Sequence, residues 1–321
     1  MATCATIHFA FDSLAPTPKS LNYQIAIFSY NRGPYLRNCI ESVQRHCPNV
    51  PFTVYDDGSD HPELVDYLKT LGSAVRHMQT ATAERHGGFY ANMQAALDET
   101  QAEALLLLQD DVQVVRDIAT EDVDSWQTYW ASYPECAFLS PVFMKGGRRD
   151  DFSKYYQPAS SERVYHWVED PKRPSKDGPV PRYYMDVCLL NVKRLREINW
   201  QYQTSEWLNG QQAAKYFPHG MAQLADPMVF YVPEEPVYRG RVKSKGTQIA
   251  ERLAGNTVKA FVSMTTEEVQ HLRQRNTSIY PFAEDFIQTQ DPSVHRPYRF
   301  NVYRTNWLAR LVNKWEKIWS R

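Results

Sequence analysis

The sequence predicts an α/β fold on three observations. Between residues 21 and 115, strand-like and helix-like segments alternate along the chain. The strand candidates are short apolar runs, while the segments between them carry apolar residues at helical spacing. Composition is globular, with 43% hydrophobic and 23% charged residues over 321 positions, enough chain for one large domain or two closely packed ones. Alternation of this length implies right-handed crossovers and a parallel sheet covered on both faces.

Each element has its own justification. "NYQIAIFS" (22–29) reads as a buried strand. "PYLRNCIESVQRHC" (34–47) sets Leu36, Ile40, Val43 and Cys47 at helical spacing, with Pro34 in a first-turn position that tolerates it. "PFTVYDD" (51–57) is a second strand, followed by a helix from about His61 to Leu71. "SAVRHMQT" (73–80) is a third strand, "GFYANMQAALDET" (88–100) a third helix, and "ALLLLQ" (104–109) a fourth strand. Past residue 120 the alternation weakens. "CAFLSPVFM" (136–144), "YYMDVCLLNV" (183–192) and "MVFYVP" (228–233) read as strands, and "SEWLNGQQAAKYF" (205–217) as a helix opening at Ser205. Residues 145–182 are polar and long enough for a functional loop. "YRGRVKSKG" (238–246) is a short basic loop, followed by a polar tail. The expected division is an extension over 1–20, a first half over 21–118, a second over 119–237, and the loop and tail over 238–321.

Charge and cysteine usage narrow the function classes. The 36 Lys+Arg nearly cancel the 37 Asp+Glu, which argues against bulk electrostatic binding of nucleic acid. The five cysteines form no C-x-x-C pair, a pattern of reduced thiols rather than a disulfide framework or zinc site. The N-terminus lacks a basic leader, and no apolar run approaches the ~18 residues of a spanning helix, so the expected location is cytoplasmic. Aromatic residues make up 13% of the chain. Rings of this kind suit the C–H face of a sugar, and equally fill a core.

In parallel sheets ligands sit beyond the carboxyl ends of the strands, where Asp56, Asp57, Asp110 and Asp111 all fall. "FSYNRG" (28–33) stands where a dinucleotide fold has its glycine fingerprint, which is absent; Ser29, Tyr30 and Arg32 could instead offer a ring and donors to a nucleotide. "VYDDGSD" (54–60) places a carboxylate able to accept from a base N–H or ribose hydroxyl, or simply a turn with a helix cap. Gln109-Asp110-Asp111 follows four leucines. Two carboxylates about 5 Å apart repel by roughly 3 kcal/mol at an effective dielectric near 20, so the pair asks for a cation or strong donors. Hard divalent cations prefer such oxygens and keep water and substrate phosphate as their other ligands.

Together "IAIFSYNRGPYLRNCIESV", "VYDDGSD" and "LLLLQDDV" resemble the nucleotide-sugar half of the family-2-like glycosyltransferases with the A-type (GT-A) fold, across about residues 22–115. The resemblance implies a Rossmann-like mixed central sheet flanked by helices, with the C-terminal helical tail added here. It also implies transfer of a sugar from a UDP-, dTDP- or GDP-linked donor to a glycan or glycolipid acceptor, by inversion and with Mn²⁺ or Mg²⁺. On this reading Tyr30 lies at the base-binding turn, Asp57 on the pyrimidine and Arg85 near base or diphosphate. Asp110 and Asp111 stand for the metal-holding D-x-D, whose first position is Gln109 here, which favours Asp111 as direct ligand. Glu206, opening its helix, is the candidate catalytic base, although the family usually has an Asp or Glu-Asp pair there. Asp186 and Trp207 are candidates for the acceptor side, and Arg239, Arg241, Lys243 and Lys245 for a loop closing on the diphosphate. A nucleotidyltransferase and a non-catalytic nucleotide- or sugar-binding relative remain as alternatives.

The last stretch, "NWLARLVNKWEKIWSR" (306–321), gathers Trp307, Leu311, Trp315 and Trp319 near one helical face. From residue 291 onward seven cations and two carboxylates give 7 − 2 = +5. The pattern reads as an interfacial membrane helix, peripheral on the inner membrane face, or as a helix docked on the protein or a partner.

Overall fold

The computed structural model describes residues 21–77, 88–159, 161, 163–168, 178–234, 245–254, 257–300 and 307–319. The chain runs β1 (Tyr23–Ser29), α1 (Gly33–His46), β2 (Phe52–Asp56), α2 (Pro62–Leu71), β3 (Val75–His77), α3 (Phe89–Glu99), β4 (Ala104–Gln109), β5 (Val112–Val114) and α4 (Thr120–Ser132). It continues with β6 (Phe138–Ser140), α5 (Arg149–Tyr155), β7 (Tyr156–Ala159), β8 (Val164–Trp167), β9 (Cys188–Asn191), α6 (Val192–Glu197), α7 (Glu206–Tyr216), β10 (Ala222–Leu224) and β11 (Val229–Tyr231). Beyond them lie α8 (Lys245–Ala254), α9 (Thr266–Gln274) and α10 (Trp307–Trp319).

Among the described residues, nine strands form one sheet in the order β3-β2-β1-β4-β9-β6-β10-β8-β7. β1 to β4 are mutually parallel where they pair, and β9 runs antiparallel between β4 and β6. The expectation of a mixed central sheet flanked by helices, with helices at the C-terminal end, holds. Strand β4 explains why: Leu105 to Leu108 are all buried, which requires apolar layers on both faces of the sheet. Each such leucine is worth roughly 1.5–3 kcal/mol of transfer free energy.

Register fixes the site. Ser29 pairs with Asp56 and Phe28 with Gln109, so the carboxyl ends of β1, β2 and β4 finish level. Because β9 is antiparallel to β4, with Leu107 opposite Cys188, the residues entering β9 reach that same edge. β5 and β11 form a separate two-stranded ribbon in which Val112 faces Tyr231, and Val232 N–H donates to the Asp111 carbonyl (2.8 Å).

Several expectations need correction. The expected strand over 183–192 shortens to β9, and that over 136–144 to β6, where Pro141 follows. The ending at 228–233 leaves the main sheet for the ribbon. The polar tail expected after the basic loop also contributes to the core: Phe261, Met264, Leu272, Phe282, Ile287, Val294 and Tyr298 are buried. Gln113 pins this segment from both sides, donating to Phe261 O and accepting from Phe261 N–H (both 2.9 Å). Most of the aromatic surplus is also core, including Tyr35, Trp126, Tyr129, Tyr165, Tyr184 and Trp200. Cys39, Cys47, Cys136 and Cys188 are buried free thiols.

Candidate functional site

The turn after β1 is braced before it can bind anything. Asn31 adopts φ = 52°, the left-handed region that asparagine tolerates better than most side chains. Its Oδ1 accepts from Asp60 N–H (3.0 Å) and His61 N–H (3.1 Å), its Nδ2 donates to Asp60 Oδ1 (2.8 Å), and its own N–H donates to Ser59 Oγ (2.9 Å). One side chain thus satisfies amides at the start of α2 and locks the β1 turn to the β2 turn. Asp56 completes the brace by accepting from Ser59 N–H (2.9 Å) and Ser59 Oγ (2.5 Å). Asp56 is buried and committed to that turn.

The neighbouring Asp57 carboxylate accepts the Gly88 N–H through both oxygens, at 2.8 and 2.7 Å. It therefore meets the amino end of α3, where the helix dipole favours an anion. Ser29 Oγ is buried and takes no hydrogen bond among the described residues. Tyr30 is half-buried at the same turn.

Arg32 accounts for the paired carboxylates after the leucine run. Its Nη1 donates to Asp110 Oδ1 (2.9 Å) and to Asp111 Oδ2 (2.8 Å). Asp110 also accepts from Tyr30 N–H (3.3 Å). All three charged side chains are buried, with Asp110 wholly so. One guanidinium nitrogen is thus shared between two adjacent carboxylates. Under α1, burial and the nearby Asp110 and Asp111 push the Cys39 thiol well above its usual range.

A second group assembles from the other half of the chain. Asp186 precedes β9; its Oδ2 accepts from Tyr90 OH (3.2 Å) on α3, and its N–H donates to Glu206 Oε1 (3.2 Å) at the first turn of α7. Ser205 caps α7 by accepting from Leu208 N–H (3.2 Å), which leaves the Glu206 carboxylate free to turn back toward Asp186. Burial pushes the Glu206 carboxyl above its ordinary value; the Asp186 N–H and the Lys145 ammonium oppose that rise without cancelling it. Lys145 Nζ sits over the rings of Tyr231 (5.1 Å) and Phe300 (4.5 Å). Tyr231 links the two groups: its hydroxyl pKa is raised well above the usual value by burial, then by Glu206, Asp111 and Asp186. These two groups thus hold four carboxylates, Asp110, Asp111, Asp186 and Glu206, with Arg32 and Lys145 as counter-cations.

Of the residues singled out in the sequence, the structure gathers Ser29, Tyr30, Arg32, Asp57, Asp110, Asp111, Asp186 and Glu206 at this edge. Trp207 follows Glu206 and is half-exposed, and Gly178 abuts its indole so closely that a β-carbon there would come within 1.9 Å of the ring. Arg85, Arg239, Arg241 and Lys243 lie outside the described residues. Lys245 is described and opens helix α8 instead of belonging to a loop; its N–H donates to Glu316 Oε2 (2.8 Å) on α10. Sequence reasoning missed Lys145, Tyr90 and Tyr231. The first stands beside two glycines in an irregular stretch, and the tyrosines sit in ordinary apolar segments, so only tertiary placement marks them.

A family model described as glycosyl transferase family 2 matches residues 24–133, the stretch from β1 through α4. No curated protein matches the chain. Among solved structures it is similar to TarS 1-349 of S. aureus, at 12% identity over 74% of this chain and 65% of that one, with a TM-score of 0.44. It is similar to the same fragment in complex with UDP-GlcNAc, at 11% identity over 74% and 66%, with a TM-score of 0.44. A third is the mannosyltransferase PcManGT from Pyrobaculum calidifontis in complex with GDP-Man and Mn²⁺, at 12% identity over 82% and 68%, with a TM-score of 0.41. The chain spans under two thirds of the length of the first of these structures.

Proposed function

We propose that this chain, whose residues 24–133 form a family-2-like glycosyltransferase segment on a GT-A-type fold, moves a sugar from a nucleoside-diphosphate donor to a hydroxyl of a glycan or glycolipid, with inversion. The observation that carries this reading is the convergence at one sheet edge of the Arg32–Asp110–Asp111 cluster and the Asp186–Glu206–Lys145 cluster. The first belongs to the family-2 segment and the second comes from outside it.

The donor half would use the β1 and β2 turns. Asp57 accepts an N–H of the base, sharing the role it now plays for Gly88, and Tyr30 and Ser29 line the same turn. Glu206 takes the proton of the acceptor hydroxyl as that oxygen bonds to the anomeric carbon. The bond from that carbon to the diphosphate oxygen breaks, and its electron pair leaves with the nucleoside diphosphate. A carboxyl held above its ordinary pKa is a stronger base than an exposed one, which suits general-base catalysis. Trp207 offers its half-exposed indole to the acceptor.

A divalent cation fits the donor half by its chemistry. Among the described residues no group of three or more His, Cys, Asp or Glu could hold a metal by itself. Asp110 and Asp111 would hold it as hard oxygen donors, with donor phosphate and water as the remaining ligands, the arrangement Mg²⁺ and Mn²⁺ favour. Bound there, the cation offsets negative charge on the departing diphosphate. Arg32 and Lys145 add fixed positive charge of their own.

The test is a calorimetric and turnover panel of UDP-, dTDP- and GDP-sugars with Mn²⁺. One donor class is expected to bind, Asp57→Asn and Asp111→Asn to weaken it, and Glu206→Gln to lower kcat at least a hundredfold while donor affinity holds. No heat with any donor overturns the reading. Binding without turnover leaves a non-catalytic relative, and wild-type turnover in Glu206→Gln removes Glu206 as base.

A further inference from the structure

Helix α10 packs against α8, and it does so with the wrong side for a soluble protein. At about 100° per residue, Ala309, Val312 and Glu316 share an arc of about 60°. Ala309 is fully buried, Val312 and Glu316 are half-buried, and Glu316 is tied to the Lys245 N–H. The large apolar residues lie elsewhere. Trp307, Leu308, Leu311, Trp315 and Ile318 fall within a separate arc of about 100°. They are 66%, 44%, 43%, 59% and 63% exposed. The helix therefore docks through its small side and presents its apolar side outward.

That stripe is not ordinary surface. Single exposed apolar residues need no explanation, but five on one helical face, two of them tryptophan, make a contiguous patch of the kind that marks an interaction site. By the same spacing Arg310 and Lys314 adjoin one edge of the stripe, and both are exposed. Cations along the rim of an apolar, tryptophan-bearing face suit a surface that is apolar beneath and anionic above. Indole rings favour that boundary, with an apolar body and an N–H for the headgroups. A second copy of the chain fits less well, because an antiparallel two-fold pairing of the stripe would bring both rows of cations toward one seam.

We propose that α10 seats this chain on an anionic bilayer surface, with Trp307, Leu308, Leu311, Trp315 and Ile318 entering the headgroup–acyl boundary and Arg310 and Lys314 meeting lipid phosphates. The attachment is peripheral: among the described residues no helix is long and apolar enough to cross a membrane. It stands independently of the glycosyl-transfer reading. If both hold, the acceptor class narrows to amphiphiles carried by that surface.

Flotation of the full chain with vesicles tests it, one set of phosphatidylcholine alone and one with about a third phosphatidylglycerol. The wild type is expected to float with the anionic vesicles. Leu311→Glu combined with Trp315→Glu should lower the bound fraction about tenfold or more, and Arg310→Glu with Lys314→Glu should reduce anionic binding to the neutral-vesicle level. Circular dichroism and donor binding of each variant serve as independent checks on folding. The proposal fails if the wild type stays with the aqueous fraction in both sets, or if the Leu311/Trp315 variant floats as the wild type does. It also fails if light scattering shows a dimer that this variant converts to monomer, which would make the stripe an interface between copies.

Discussion

Arg32 Nη1 lies 2.8 Å from Asp111 Oδ2, and the same nitrogen lies 2.9 Å from Asp110 Oδ1. One guanidinium nitrogen thus holds two adjacent carboxylates that follow an apolar strand and have almost no contact with solvent. The pair is pre-aligned before any donor arrives. Such preorganisation keeps the repulsion between neighbouring aspartates from splaying the strand end.

Removing the guanidinium should be costly. Arg32→Met leaves two buried carboxylates without their shared cation, and breaking a buried ion pair from one side typically costs about 3–5 kcal/mol. Urea denaturation of Arg32→Met is expected to show a loss of that size. Adding Asp110→Asn and Asp111→Asn to the variant should recover most of it, since the repulsion then disappears. A loss in Arg32→Met under about 1 kcal/mol would mean that water reaches the pair freely.

Glu206 predicts a stability change of opposite sign. Its folded carboxyl pKa is raised from 4.5, chiefly by burial. Below 4.5 the group is protonated in both folded and unfolded chains and contributes no difference. As pH rises through the folded pKa, the native state must carry a desolvated charge, and stability falls. Glu206→Gln is therefore expected to melt like the wild type in acid and above it at pH 7–8, while turnover is lost. Lys145 opposes the rise, so Lys145→Met should move the acid limb of the kcat profile to higher pH, and an unmoved limb would remove Lys145 from the field at Glu206.

The first half was legible because its signals are local. The strand expected at 104–109 coincides with β4, and the helix expected at 34–47 differs from α1 by one residue at each end. The acidic strand ends were legible as positions, since sheet register follows from parallel strands of similar length. Their partners were not. Arg32 and Asp111 are 79 residues apart, and nothing in "SYNRG" says that its guanidinium turns inward. In the C-terminal third, buried Phe261, Leu272, Phe282 and Val294 stand singly among polar residues without a period, so core packing there leaves no pattern of two or 3.6 to read. Asp57 shows the limit from the other side: its position is where a base-binding carboxylate is expected, while its bond to Gly88 is a helix-end contact that no local pattern announces.

Asn31 carries the last prediction, because its conformational role and its hydrogen-bonding role can be separated. Its φ of 52° favours asparagine or glycine, and its side chain satisfies the Asp60 and His61 amides. Asn31→Gly keeps the backbone conformation accessible and loses only the bracing bonds, at a cost of about 1 kcal/mol. Asn31→Ala loses the bonds and adds about 1–2 kcal/mol of left-handed strain. Urea midpoints should therefore fall in the order wild type, Asn31→Gly, Asn31→Ala. Donor affinity should behave differently. If the brace sets the spacing between the Tyr30 turn and Asp57, both variants lose it together, and calorimetry should find similar weakening in each. Weakening that instead tracks the stability ladder would place the effect in backbone strain, with no role for the link between the two turns.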